Sequence, residues 1–134
     1  MHTDQQGILD RLSLDANGVP IYVQLRDQFL SAIGEGRLKP GAQMPTMRQV
    51  AVALKVDLNT VRHAYGELER QGAIVIVRAK GTYVTDVPPV QDARDREHLI
   101  EELALRAIAD ARTHGIEPAS VVRSIQKIIK RKGD

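Results

Sequence analysis

Residues 40–65 read PGAQMPTMRQVAVALKVDLNTVRHAY, and no other stretch limits the available folds as tightly. Pro45 and Thr46 open a helix: Thr46 can cap it, and Gln49 three positions on completes a capping box. Val50, Ala51 and Leu54 recur on one face of that helix. Residues 55–57 make a turn, with Val56 as an apolar plug between two helices. Asp57 stands at the N-cap of the next helix, whose inward stripe is Val61, Ala64, Tyr65 and Leu68, and Gly72 ends it. The spacing predicts two short helices at a steep angle. That is the shape of a helix-turn-helix, which sets the start of its second helix into the major groove of DNA.

The flanks complete a domain around this pair. Gly18 and Pro20 mark a helix entry, and Ile21, Leu25, Phe29, Ala32 and Ile33 form a helical stripe facing a core. Gly34 and Gly36 stop that helix. After Gly72, the run AIVIV at residues 73–77, then RAKG and TYVT, predicts two short strands around a Lys-Gly turn. With Phe29 the only phenylalanine and no tryptophan, the core must come from Leu, Ile, Val and Ala. The expected fold is mainly α with a small β-hairpin, a winged helix-turn-helix over residues 18–86. Residues 1–17 read as a polar segment, with LSLD at 12–15 as at most a short extended piece.

Beyond this domain the sequence DVPPVQD predicts a linker at residues 87–92, since consecutive prolines block helix and strand alike. Leu99, Leu103, Ile108 and Ala111 then keep helical spacing up to Gly115. Pro118 starts a last helix with Val121, Val122, Ile125, Ile128 and Ile129. Residues 93–134 are therefore expected to be an αα-hairpin, too small to be stable alone. Its stripes need a partner, most simply a second copy, and Leu99, Leu103, Ile108, Val122, Ile125 and Ile129 are the residues expected to dimerise.

Charge is unevenly spread. Residues 20–85 carry a net +4, residues 86–134 carry zero and the first nineteen carry −2. The excess sits on the segment with the motif, as phosphate contact requires. Chemistry is harder to find. The absence of cysteine excludes disulfides, thiolate metal sites and cysteine nucleophiles. His2, His63, His98 and His114 lack metal-ligand spacing, and no Gly-rich phosphate loop or nucleophile elbow appears. Neither an enzyme nor a cofactor is expected. With no apolar run of membrane-spanning length and no signal-peptide core in MHTDQQG, the expectation is a soluble, cytoplasmic chain without membrane contact.

The residues that would touch double-stranded DNA follow from helix geometry. Leu58, Asn59, Arg62 and His63 lie opposite the inward stripe and share one patch at the helix start. Asn59 can bond adenine, Arg62 guanine, and Leu58 can meet a thymine methyl. Thr60 and the first amides suit a phosphate. Arg48, in the first turn of the preceding helix, reads as a phosphate or base contact, the alternative being an ion pair with Glu67 or Glu69. Arg78 and Lys80 flank the hairpin tip, where a wing meets the minor groove, although a charged tip also serves solubility.

Taken together, these residues resemble the GntR family of bacterial transcription regulators across the whole winged-helix domain. The specific elements are PIY at residues 20–22, GRLKPG at 36–41, P-T-x-R at 45–48, NTVR at 59–62, L-E-x-x-G at 68–72 and GTYV at 81–84. The resemblance implies a homodimeric DNA-binding repressor in which Arg48, Asn59, Thr60, Arg62 and a wing tip from Arg78 to Gly81 approach DNA. Two departures stand out: Asp57-Leu58 where many relatives carry Ser-Arg, and Ala79 where the wing often has glycine. The short tail is similar to that of the YtrA subfamily, which uses two helices for dimerisation; it is too short for a metabolite-binding or aminotransferase-like domain. The reading is thus a homodimeric repressor on a pseudo-palindromic operator. Alternatives are a winged helix used for protein interaction, or a sensor of an unknown small-molecule effector bound at the tail–tail or linker interface.

Overall fold

The computed structural model describes residues 5–86 and 92–133. Six helices and two strands follow in order: α1 (Gln5–Arg11), α2 (Ile21–Gly34), α3 (Met47–Leu54), α4 (Leu58–Arg70), β1 (Ile74–Val77), β2 (Gly81–Val84), α5 (Ala93–Thr113) and α6 (Pro118–Gly133). They divide into two compact units, Met1–Val87 and Pro88–Asp134. The mainly helical class with one hairpin is as the sequence predicts.

In the first unit α2, α3 and α4 close on one core. Leu25, Phe29, Leu38, Val50, Val61, Ala64, Tyr65 and Leu68 are wholly shielded from solvent. The α2–α4 contact is set by a helical repeat. Tyr22 stacks on His63 and Arg26 pairs with Glu67, a step of four residues on each helix in the same direction. Between them Phe29 meets Tyr65 edge to face, with centroids 5.5 Å apart. The buried Tyr65 hydroxyl donates to Pro45 O at 2.5 Å and so ties α4 to the entry of α3.

The capping box forms as expected: Gln49 N–H donates to Thr46 Oγ1 at 3.0 Å, and Thr46 N–H to Gln49 Oε1 at 2.8 Å. At the other end of α3, Val56 N–H reaches Ala51 O while Lys55 adopts φ 56°, a left-handed conformation usually left to glycine. Asp57 departs from expectation. It occupies the N-cap position of α4, but its carboxylate makes no capping bond. Its backbone carbonyl instead accepts from Thr60 and Val61, which leaves the Leu58 and Asn59 amides without an acceptor among the described residues.

The wing pairs Ile74 with Val84, Val75 with Tyr83, Ile76 with Thr82 and Val77 with Gly81, antiparallel. The loop before α3 adds a third extended segment: Met44 N–H donates to Thr82 O, and Val84 N–H to Ala42 O. This addition protects the outer edge of β2.

Within the first seventeen residues, those described, 5–17, differ most from the sequence expectation. They are not merely a polar leader: α1 buries Ile8 and Leu9 in the common core, and Leu12 and Leu14 pack against it. Residues 12–15 form no regular element and are held by two α2 glutamines. The Gln28 side-chain amide exchanges bonds with Ser13 N–H and C=O, and that of Gln24 does the same with Asp15. Glutamines four apart on a helix face thus stand in for a neighbouring strand. Neither the seven-residue helix nor the clasp leaves a periodic signal.

In the second unit, Asp92 caps α5 by accepting from the Arg94 and Asp95 amides. Most of the expected linker, residues 87–92, lies outside the described residues. The α5–α6 turn closes with Ile116 N–H on Ala111 O and Gly115 at φ 71°. Ala111 is the only fully buried residue of this unit among those described, with Ile108, Val121 and Ile128 half-buried.

Candidate nucleic-acid interface

The start of α4 is exposed on the side away from the core. Val61, Ala64, Tyr65 and Leu68 face inward, while Asn59, Arg62 and His63 are exposed and Leu58 and Thr60 half-exposed. Asn59 and Arg62 are joined: an Arg62 guanidinium N–H donates to Asn59 Oδ1. This bond holds both groups in one direction before any ligand arrives, which lowers the ordering cost of binding. It also leaves the Asn59 amide nitrogen and the other guanidinium donors free to meet base edges.

His63 belongs to a different environment. Its ring lies against Tyr22 at 3.7 Å and nearly parallel. The helix face that carries it therefore turns toward α2, although the residue remains exposed. The amino-acid spacing put His63 with Asn59; the partner from α2 was not visible because it is 41 positions away. Beyond His63 lies a charge cluster. Glu67 pairs with Arg26 at 3.8 Å and hydrogen-bonds Arg70. The Arg70 bond holds the Glu67 carboxyl below its ordinary range against a smaller opposing effect of desolvation, and the positive charges of Arg70, His63 and Arg26 add to the lowering. Burial pushes the Tyr65 phenol far up, so it stays a donor to Pro45 at any working pH.

Arg48 sits exposed in the first turn of α3 and makes no ion pair with Glu67 or Glu69. Glu67 is taken by Arg26 and Arg70, and Glu69 accepts instead from Ile76 N–H at 3.3 Å. Arg78 and Lys80 are exposed at the wing turn, which is closed by Lys80 N–H on Val77 O. Within that turn Ala79 takes φ 67°, the pattern of a type II turn that favours glycine. Gly81 is half-buried at φ 132°, and a Cβ there would come within 2.9 Å of Gln43 Nε2. The Gln43 amide ends a flexible, exposed side chain and can give way, so it is the φ of 132°, which L side chains rarely adopt, that calls for glycine here.

One electrostatic pattern unites these positions. Asp27, Glu35 and Glu67 neutralise Arg26, Arg37 and Arg70. Among the described residues Arg48, Arg62, Arg78 and Lys80 have no acidic partner. Three acids of this unit thus cancel Arg26, Arg37 and Arg70, and four of the cations left unpaired lie on α3, the start of α4 and the wing; Arg11, Lys39 and Lys55 are unpaired among the described residues as well. The described residues contain no group of three or more His, Asp or Glu able to hold a metal, and no helix long and apolar enough to cross a membrane.

The tail exposes a second surface. Leu99, Leu103, Val122, Ile125 and Ile129 are exposed, Leu103 by 54% and Ile129 by 63%. Ile108 is half-buried instead. Ile100 and Leu105, which fall off the sequence stripe, are exposed as well.

Comparison with known proteins agrees with this geometry. Residues 21–84 match the family described as "Bacterial regulatory proteins, gntR family". The chain is 32% identical over 112 residues to the HTH-type transcriptional repressor YtrA of Bacillus subtilis, covering 84% of this chain and 86% of that protein. Among solved structures it is similar to YtrA from Sulfolobus acidocaldarius, a GntR-family transcription factor, with TM-score 0.62, 28% identity and coverage of 91% and 99%. It is also similar to the DNA-binding domain of AraR in complex with operator ORX1, with TM-score 0.50 and 30% identity over 54% of this chain and 87% of that one.

Proposed function

The chain belongs to the GntR family of bacterial regulatory proteins, and from that premise we infer a cytoplasmic, homodimeric transcription repressor that binds a pseudo-palindromic operator. Each protomer sets the start of α4 into one major groove. Asn59 and Arg62 read base edges there, and Leu58 supplies an apolar contact. Thr60, Arg48, Arg78 and Lys80 meet the phosphates, and Gly81 keeps the wing close beside them. His63, stacked on Tyr22, steadies the flank of α4 rather than reading sequence.

The observation that carries this reading is the set of cations without acidic partners on α3, α4 and the wing. Carboxylates pair with Arg26, Arg37 and Arg70, so the arginines of α2, the loop after it and the end of α4 are neutralised while those of α3, the start of α4 and the wing are not. Leu99, Leu103, Val122, Ile125 and Ile129, with Ile108 beneath them, supply the apolar surface for pairing. Two recognition helices in one dimer then fall about 34–36 Å apart, one turn of DNA.

Selection of bound sequences from a random DNA pool, followed by affinity measurement across a salt series, tests the reading. The expected result is an inverted repeat with half-sites about one helical turn apart. The log–log salt slope should be roughly −4 to −8 for a dimer with several phosphate contacts on each side. A slope near zero would favour a protein-interaction role for the winged helix.

A further inference from the structure

α1 and α2 leave a cavity of 290 Å³ between them, walled by Ile8, Leu12, Phe29 and Ala32 and edged by Arg11 and Arg37. Its polar rim is unbalanced. The Gln28 amide, which also lines it, is spent on Ser13, and Asp27 is spent on Arg26. Arg37 Nε is buried and has no hydrogen-bond partner; the Glu35 carboxylate lies 3.6 Å away, within ion-pair range but beyond a hydrogen bond. Arg11 has no ion pair among the described residues. The rim thus offers two guanidiniums above an apolar floor, one with an unmet Nε–H, beside an Asp27 carboxylate whose charge Arg26 offsets.

We propose that this cavity binds a small organic carboxylate, with its apolar body against Ile8, Leu12, Phe29 and Ala32 and its carboxylate on Arg37 and Arg11. An incoming anion satisfies the orphaned Nε–H, and a fork of guanidinium donors suits a planar carboxylate. The volume lies at the lower end of ligand sites, which run from roughly 300 Å³ upward, so it fits a single ring and excludes a nucleotide. Phe29 is both a cavity wall and the edge-to-face partner of Tyr65, so a ligand here rests on a side chain packed directly against α4. This places an effector site within the first unit.

The test titrates the full chain with benzoate and, in parallel, with neutral benzamide, following the methyl resonances of Ile8, Leu12 and Ala32. Benzoate should give saturable shifts with a dissociation constant on the order of 1 mM, and benzamide should bind at least about tenfold more weakly. Arg37→Gln should weaken benzoate at least about tenfold, while Arg37→Lys, which keeps the charge, should recover part of the loss. Ser31→Phe should fill the space and abolish the shifts while the melting temperature holds or rises. Equal response to benzamide, wild-type titration by Arg37→Gln or Ser31→Phe, or no methyl shift with benzoate would each overturn the proposal. None of these measurements uses DNA, so their failure and that of the repressor reading are separately visible.

Discussion

Within residues 5–86, Leu25, Phe29, Val61 and Tyr65 are fully shielded by their own unit, whereas in the α5–α6 hairpin Ala111 alone is buried among the described residues. The difference is one of layers. Three helices crossing at angles, with a hairpin and α1 over the remaining gaps, enclose a volume. Two helices side by side share one seam and leave the rest of each apolar stripe uncovered. The first unit therefore carries its stability within itself, and the second awaits surface from elsewhere. Under the proposed pairing of the tails, a regulator gains from this division, because the first unit stays rigid while assembly depends on concentration.

The largest effect that should separate the two units is Tyr65→Ala. Loss of this buried ring should cost about 3–5 kcal/mol in denaturant unfolding of the first unit. Tyr65→Phe should cost about 1–3 kcal/mol, since it removes only the donor to Pro45 O. Neither change should touch the tail. The converse experiment charges the hairpin. Leu103→Asp with Ile125→Asp should weaken dimerisation at least about a hundredfold by sedimentation, with the unfolding midpoint of the first unit unmoved. A monomeric wild-type chain at micromolar concentration would instead remove the need for a partner surface.

Smaller effects sharpen the contrast inside the first unit. Arg62→Ala should weaken operator binding by at least about 1 kcal/mol and leave nonspecific DNA less affected. Equal losses on both would make Arg62 a phosphate contact. Ala79→Gly should be the mildest change, a gain of up to about 1 kcal/mol in thermal unfolding as the left-handed strain is relieved. A loss there would show that the Ala79 methyl packs against something worth keeping.

The same contrast explains what could be read from sequence. α3 and α4 were legible because a capping box, a stripe and a glycine stop all agree locally, and consistency across levels is what makes a segment predictable. α1 was not legible: seven residues with a glycine inside have little intrinsic helicity, and the helix rests on Ile8 and Leu9 reaching a core built later in the chain. The stacking of His63 on Tyr22 is likewise decided by a neighbour distant in sequence. In the tail the stripe picked out Leu103 and Ile125, but Ile108 is half-buried, and Ile100 and Leu105 are exposed from outside the expected spacing.

The glutamine clasp over Ser13 and Asp15 has a consequence for how this molecule tolerates insertions and deletions. Alternate residues of this segment are engaged by side chains one helical turn apart, so the segment is indexed in steps of two. Slippage by a single position would present Leu12 and Leu14 to water. Residues 16–18, by contrast, are exposed and can absorb a change in length. Gene variation should therefore accumulate after Asp15 and be rare between Leu12 and Asp15.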